Sequence, residues 1–311
     1  MRIAVVGTGG IGGPYGASLA KAGADVTFVA RGAHLAAIRE NGLRVEGDRG
    51  ETHIRPARAT DDIASIGPVD FVLFCVKLWD VESVGGQLRA LVGPETAVVP
   101  LQNGVDAAER LIPILGQEAV MGGVAFVTGT IVAPGIIRQT GDYQSMTFGE
   151  RDGRFSERGQ RLRELCEAAG FEGVLSPDIR VPLWEKFILI VPSAGLNALT
   201  RVPLGRWREH PELATLYEAS LRETVAVGLA EGVGLPPDCI DKGMALMRSM
   251  PAHHMTSMGN DLNRGNRLEL PWFAGKVVEL ARRHGIPTPV NGFIYAALKP
   301  HINGAPASGS A

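Results

Sequence analysis

The first thirteen residues constrain this chain more than any other stretch. Residues 2–13 read RIAVVGTGGIGG, an apolar run of strand length followed by glycines at 7, 9 and 12. A helical pattern, GPYGASLAKAG, follows at once. A strand that stops at a GxGxxG turn and continues as a helix is the first half of a βαβ dinucleotide unit. Such a unit needs a second parallel strand, and DVTFVA at 25–30 supplies it. In this setting Gly7 permits the tight bend, Gly9 lets backbone approach a pyrophosphate, and Gly12 lets helix and strand pack closely. Thr8, Gly10 and Ile11 complete the turn, and the amides that open the helix face the anionic ligand. Pro14 falls in the first helical turn, where its missing amide hydrogen costs nothing.

The end of the second strand selects the cofactor. An acid there bonds the ribose 2′-hydroxyl of NAD and repels a 2′-phosphate. Here the strand ends on Ala30 and Arg31. A guanidinium fork pairs with a phosphate, so the sequence predicts NADP (NADPH), with a solvated surface arginine as the alternative. His34 and Arg39 read as surface residues of the following helix.

Further strands are predicted at 52–57 (THIRPA), 70–76 (DFVLFCV), 96–101 (TAVVPL), 119–127 (AVMGGVAFV) and within QSMTFGE at 144–150. Helical stretches between several of them, such as VDAAERLIPIL, argue for a parallel sheet with crossover helices. ERGQRLRELCEAAG reads as a helix closing on Gly170. Beyond about Asp178 helical periods take over, in PLWEKFILIVPSAGLNALT, HPELATLYEASLRETVAVGLAEG and PWFAGKVVELARRHG. The expected fold is α/β: an N-terminal Rossmann dinucleotide-binding domain over 1–178, then an all-helical substrate domain over 179–311. The small, polar residues from about 304 to 311 read as a flexible tail.

Two residues lie just past strands, at the edge where open α/β sheets bind ligands. Lys77 follows one and Asn103 the next. Lys77 suits a carboxylate or phosphate, and Asn103 a ribose, a nicotinamide amide or a substrate hydroxyl. A turn lysine and a helix-capping asparagine are the structural alternatives.

With 311 residues, 45% of them hydrophobic, the chain affords two cores. A net charge of −2 gives no reason to expect nucleic acid or an anionic membrane. Cys75, Cys166 and Cys239 are scattered and odd in number, which fits a reducing cytoplasm and no disulfide framework. No signal peptide or membrane span is expected. His253 and His254 lack a third ligand at a suitable spacing, so no metal site is read.

Seven separated stretches occur in an order that resembles the ketopantoate reductases (2-dehydropantoate 2-reductases). They are VVGTGGIGG, VAR at 29–31, CVK at 75–77, LQNGV at 101–105, LWEK at 183–186, NALTR at 197–201 and SMGNDLNRGNRLEL at 257–270. The resemblance covers nearly the whole chain. It implies a cytoplasmic oxidoreductase that reduces ketopantoate to pantoate with NADPH, in pantothenate and coenzyme A biosynthesis. It implies that Lys186 is the catalytic lysine and that Glu269 and Ser257 contact substrate and cofactor. Asn103, Lys77 and Arg31 match an asparagine, a lysine and the 2′-phosphate arginine of that family. The implied partner is a small 2-keto acid, and a homodimer is compatible with it.

One departure concerns the substrate. Many members carry asparagines four and eight residues after the catalytic lysine, where this chain has Ile190 and Ala194. Asn197, three residues further on, is the substitute amide expected at the substrate. The identity of the 2-keto acid is therefore open between ketopantoate and another branched acid. A non-catalytic NADP-binding protein is disfavoured by the joint presence of Lys186, Asn103, Ser257 and Glu269. A 3-hydroxyacyl-CoA or 6-phosphogluconate type dehydrogenase would need a different catalytic constellation. Without the resemblance Lys186 is equally a packed stem with its charge in water or a general acid lowered toward neutrality by the apolar WEKFILIV. Glu269, just before Pro271, is expected at the start of a helix ending near His284. Ser257 and Asp261 are spaced to share one helix face, with Asp261 in a supporting bond.

Overall fold

The computed structural model describes residues 1–305. The chain divides into two compact units, one from Met1 to Pro182 and one from Leu183 onward. The first is α/β and the second is helical, as the periodicities require.

The strands of the first unit are β1 (Arg2–Val6), β2 (Asp25–Val29), β3 (Leu43–Gly47), β4 (Thr52–Ile54), β5 (Arg58–Thr60) and β6 (Phe71–Phe74), then β7 (Ala97–Pro100), β8 (Gly122–Phe126), β9 (Gly129–Ala133), β10 (Ile136–Gln139), β11 (Ser145–Gly149) and β12 (Glu172–Leu175). Its helices are α1 (Gly12–Lys21), α2 (Gly32–Asn41), α3 (Val81–Gly85), α4 (Ala107–Leu115) and α5 (Glu157–Ala168). A central sheet in the order β5-β2-β1-β6-β7 is parallel throughout. All four residues of β6 and of β7 are buried, as expected of strands covered on both faces. The chain runs outward from β1 to β5 and returns to β6, so the order reverses beside β1. That reversal is where open sheets of this kind bind ligands.

Register sets the level of that edge. Val6 pairs with Val29 and with Phe74, and Phe74 pairs with Pro100. The carboxyl ends of β1, β2, β6 and β7 therefore stop in line. The residues that follow them are the glycine turn, Arg31, Lys77 and Asn103.

Two smaller sheets differ from expectation. β3, β4, β9 and β10 form one, in the order β4-β3-β10-β9, and β12, β11 and β8 form the other. The predicted strand over 52–57 is two strands in different sheets, β4 and β5. Pro56 between them has no amide hydrogen to give to a ladder. The strand predicted over 119–127 holds only for β8, and Val120 makes an isolated bridge to Val98. A hairpin, β9 and β10, turns at Pro134-Gly135, where Gly135 has φ +78°.

The second unit begins within a long helix, α6 (Arg180–Thr200), and continues with α7 (Leu204–Trp207), α8 (Pro211–Ala230), α9 (Cys239–Ser249), α10 (Ser257–Asn263), α11 (Ala274–His284) and α12 (Pro289–Leu298). Its packing depends on close approaches. A Cβ at Gly228 of α8 would lie 2.8 Å from the Trp184 ring, and one at Gly195 of α6 would lie 2.8 Å from Ile294 of α12. The buried Glu223 carboxylate caps α12, accepting from the amides of Val290 (2.8 Å) and Asn291 (2.9 Å). Among the described residues no helix is long and apolar enough to cross a membrane. Of the stretch read as a tail, Ala305 donates its amide hydrogen to Gly265 O at 2.9 Å, and residues 306–311 lie outside the described residues.

Candidate active site

The glycine turn is shaped by what each position excludes. Gly7 has φ +98°, and a Cβ there would stand 2.8 Å from the Cys75 carbonyl. A Cβ at Gly12 would stand 2.4 Å from Gly7 O. At Gly9 nothing lies within 4 Å of an added Cβ. That open side, next to the first amides of α1, is what a pyrophosphate needs. Thr8 is buried and donates both its amide and its hydroxyl to Val29 O, each at 3.0 Å. The side chain thus holds the turn and is not turned toward a ligand. Ile11 is the residue before α1.

Gly10 is required for a different reason. A Cβ there would lie 1.9 Å from Gly129 O, because the start of β9 crosses the turn. Gly13 is likewise pressed by Ile137 of β10. His34, read from sequence as a surface residue, is half-buried and fastens the same contact. Its Nδ1 accepts the Gly135 amide hydrogen at 3.0 Å, so Nε2 carries the proton and donates to Thr8 O at 2.8 Å. Burial lowers its pKa, which favours this neutral form. Neither the hairpin nor the histidine latch was read from the sequence. The signal was the excess of glycines, since Gly10 and Gly13 are not needed by a GxGxxG turn.

Arg31 precedes α2, exposed, at the level of the turn. Arg39 is committed elsewhere, donating to Ala59 O and pairing with Asp61. Lys77 opens a 3₁₀ turn and sets its ammonium 5.5 Å from the centre of the Trp79 ring. Asn103 is half-buried beyond β7. It is not the cap of α4, a place taken by Asp106. The residues past the carboxyl edge therefore fit a dinucleotide: an open glycine turn, a cation at the second strand, and polar groups past the third and fourth.

In the second unit Lys186 lies on α6 between Trp184 and Phe187, whose rings meet edge to face at 5.6 Å. Burial brings its ammonium from the ordinary 10.5 down to about 8. Ile190 and Ala194 follow at one-turn intervals on the same side of α6. Ser257 is the exposed first residue of α10, with Thr256 as the cap, its Oγ1 accepting from the Gly259 amide at 3.1 Å. Asp261 accepts from Asn266 Nδ2 at 3.1 Å.

Two expectations are corrected. Asn197, expected at the substrate, is fully engaged inside the unit. Its Nδ2 donates to Val202 O and to Met255 Sδ, and its Oδ1 accepts from the amide and hydroxyl of Thr256. All its capacity is used in tying the end of α6 to the start of α10. Glu269 is not in the first turn of a helix ending at His284. It precedes a separate 3₁₀ turn, Leu270–Trp272, and Phe273 (φ −107°, ψ −104°) breaks the chain before α11 begins. Glu269 is buried at 6% exposure, so its position is not explained by the α11 dipole. His253 and His254 sit in the segment between α9 and α10, and among the described residues no three His, Cys, Asp or Glu side chains could hold a metal ion.

Comparison with known proteins shows the family and the fold. The family model described as ketopantoate reductase PanE/ApbA matches residues 3–153, and its C-terminal counterpart matches residues 178–302. A 2-dehydropantoate 2-reductase of Mesorhizobium japonicum is 31% identical over 320 residues, covering 96% of this chain and 97% of that protein. The crystal structure of a PanE/ApbA family ketopantoate reductase from Ralstonia eutropha superposes with a TM-score of 0.89 at 32% identity, over 97% of this chain and 98% of that one. A D-mandelate dehydrogenase, solved with NADH and anilino(oxo)acetate, shares the fold with a TM-score of 0.89 at 19% identity, over 97% of this chain and 98% of that one.

Proposed function

This chain belongs to the ketopantoate reductase PanE/ApbA family, and from that premise we propose that it reduces 2-dehydropantoate to pantoate with NADPH. The observation that carries the reading is the half-buried Lys186 of α6, where desolvation of the ammonium brings its pKa to about 8. A ketone that accepts hydride becomes an alkoxide and must be protonated as the charge forms. An ammonium titrating near neutrality gives up its proton at little cost and remains mostly charged at pH 7. The nicotinamide would supply the hydride. Arg31 would hold the 2′-phosphate, Gly9 and the opening amides of α1 the pyrophosphate, and Lys77 and Asn103 the far end of the dinucleotide or the substrate. Ser257 would bond the substrate carboxylate, and Glu269 would orient Lys186 or bond a hydroxyl.

A second reading rests on Ile190 and Ala194. A face that offers contact and no hydrogen bond suits a 2-keto acid without a 4-hydroxyl. The deciding measurement is kcat/KM for ketopantoate against 3,3-dimethyl-2-oxobutanoate, which lacks that hydroxyl. A site built to bond the hydroxyl rejects the deoxy acid by about 10⁴-fold, and one that only makes contact discriminates weakly. Preference for ketopantoate is expected, and preference for the deoxy acid would leave only the second reading. No NADPH oxidation with ketopantoate or with any of a panel of branched 2-keto acids would sink both.

A further inference from the structure

The second unit holds a cavity of about 350 Å³ lined by Arg201, Asn263, Arg264, Asn266 and His301. It lies at the carboxyl end of α10, seven residues along from Ser257, and none of these side chains belongs to the constellation described above. Among the described residues neither Arg201 nor Arg264 has a side-chain hydrogen bond or ion pair, and neither has His301. The nearby carboxylate of Asp261 is occupied with Asn266 Nδ2. Elsewhere surface arginines such as Arg138 and Arg222 pair with glutamates. Two guanidinium groups at one cavity without a counter-ion make a site for an anion.

The backbone gives a second indication. Arg201 has φ +56°, and it is the one described non-glycine residue with a positive φ. It follows the last residue of α6, its amide donating to Asn197 O at 3.0 Å. Glycine is the ordinary choice for a left-handed residue that ends a helix. An arginine there is unfavourable for the backbone, and this exposed residue lines the cavity. Two glycine turns fix the opposite wall. Gly265 and Gly304 have φ of +71° and +82°, and a Cβ at Gly304 would lie 2.4 Å from Gly265 O. The Leu268 amide donates to Ile302 O at 2.9 Å, so the wall is set before any ligand arrives.

We propose that this cavity binds the phosphate group of a small phosphorylated molecule, held between Arg201 and Arg264. Two unpaired guanidinium groups match a doubly charged phosphate, whereas a single carboxylate is satisfied by one fork. The volume is at the small end for ligand sites and admits a phosphate with a short carrier. The proposal stands apart from the assignment of Arg31, which belongs to the first unit.

The test is calorimetric titration of the full chain with inorganic phosphate, with Arg31→Ala as the background that disables the other expected phosphate contact. Saturable binding is expected in that background, with Arg264→Ala raising Kd at least tenfold. Arg201→Gly is expected to raise Kd similarly while leaving the thermal midpoint level or higher, because glycine suits φ +56°. Absence of saturable binding, an unchanged Kd in both variants, or tighter binding of malonate than of phosphate would overturn the proposal. A lowered midpoint in Arg201→Gly would show that the arginine is kept for stability, and would overturn it as well.

Discussion

The glycine turn and the Lys186 face of α6, where we propose that cofactor and substrate bind, are built in opposite ways. The turn is built from backbone. Side chains are excluded from Gly7, Gly10 and Gly12 by main-chain atoms at 2.8, 1.9 and 2.4 Å from any added Cβ. The α6 face is built from side chains: a desolvated ammonium, then Ile190 and Ala194 one and two turns on. A backbone-built site admits few substitutions, so it preserves the class of cofactor. A side-chain-built face keeps its helix through most changes at 190 or 194 short of proline, so a substrate site on it could change without changing the fold.

The largest expected break of this symmetry is Lys186→Ala. Turnover should fall by about 10²–10⁴-fold, the usual worth of a positioned general acid. Dinucleotide affinity, measured by fluorescence titration, should stay within about twofold, since the binding step does not use the ammonium. Retained turnover would make the lysine structural. As the proposed general acid, the same group should set a pH profile. Reduction needs the protonated form, so kcat/KM should be level below pH 8 and fall above it, through the pKa of about 8. The lysine also opposes folding. Its pKa is lower folded than unfolded, so stability should rise with pH between about 8 and 10.5. Lys186→Met should remove that rise and raise the thermal midpoint at pH 7.

The cofactor side should respond to charge by a smaller amount. Arg31→Ala should weaken NADPH by about 1.5–3 kcal/mol, as for a hydrogen bond to a charged group, and hardly alter NADH. Equal losses for the two would remove the 2′-phosphate role.

Two neighbouring glycines sharpen the comparison further. Gly10→Ala drives a methyl into the Gly129 carbonyl and should cost about 1–3 kcal/mol of stability by denaturant melt. Gly9→Ala meets nothing in the protein and should melt as the parent does, while binding dinucleotide less well. If Gly9→Ala bound normally, the open side of the turn would not be the pyrophosphate side.

The smallest expected effect is on the side-chain face. Ile190→Asn should shift preference toward ketopantoate over its deoxy analogue by about 1 kcal/mol, one added neutral hydrogen bond. No shift in the ratio of kcat/KM values would place residue 190 away from the substrate hydroxyl.

The parallel sheet and its carboxyl edge were legible because buried strands read as apolar runs and a glycine turn has few other uses. β9 and β10 were not read, although TIVA and IIRQ flank a Pro-Gly turn. β10 pairs locally with β9, but its other edge pairs with β3, more than ninety positions earlier in register, as in Arg138 opposite Glu46. Local pattern cannot announce such a pairing. In the second unit α6, α8 and α11 were legible to within a few residues, whereas α7, α9 and α12 were not read, nor was the break at Phe273, which depends on tertiary packing around 270–273. Lys186 was visible as a lysine in an apolar helix. Its lowered pKa depends on neighbours brought over it by the fold. Asn197 was misplaced because an amide can serve a substrate or a neighbouring loop, and only coordinates distinguish them.

The contacts that hold the glycine turn have a consequence for how the chain is made. The turn is synthesised well before the segments that complete it. Gly7 rests on Cys75, and His34 takes its bond from Gly135, 101 positions on. The Tyr15 hydroxyl, on the helix that follows, donates to Ser145 O, 130 positions away, and accepts from the Phe126 amide, 111 positions away. A nascent chain displayed only as far as about residue 100 thus carries the motif without the contacts that complete it. Fragments ending before Gly129 should bind no dinucleotide by titration, and competence should arrive only once the hairpin and β11 have been synthesised.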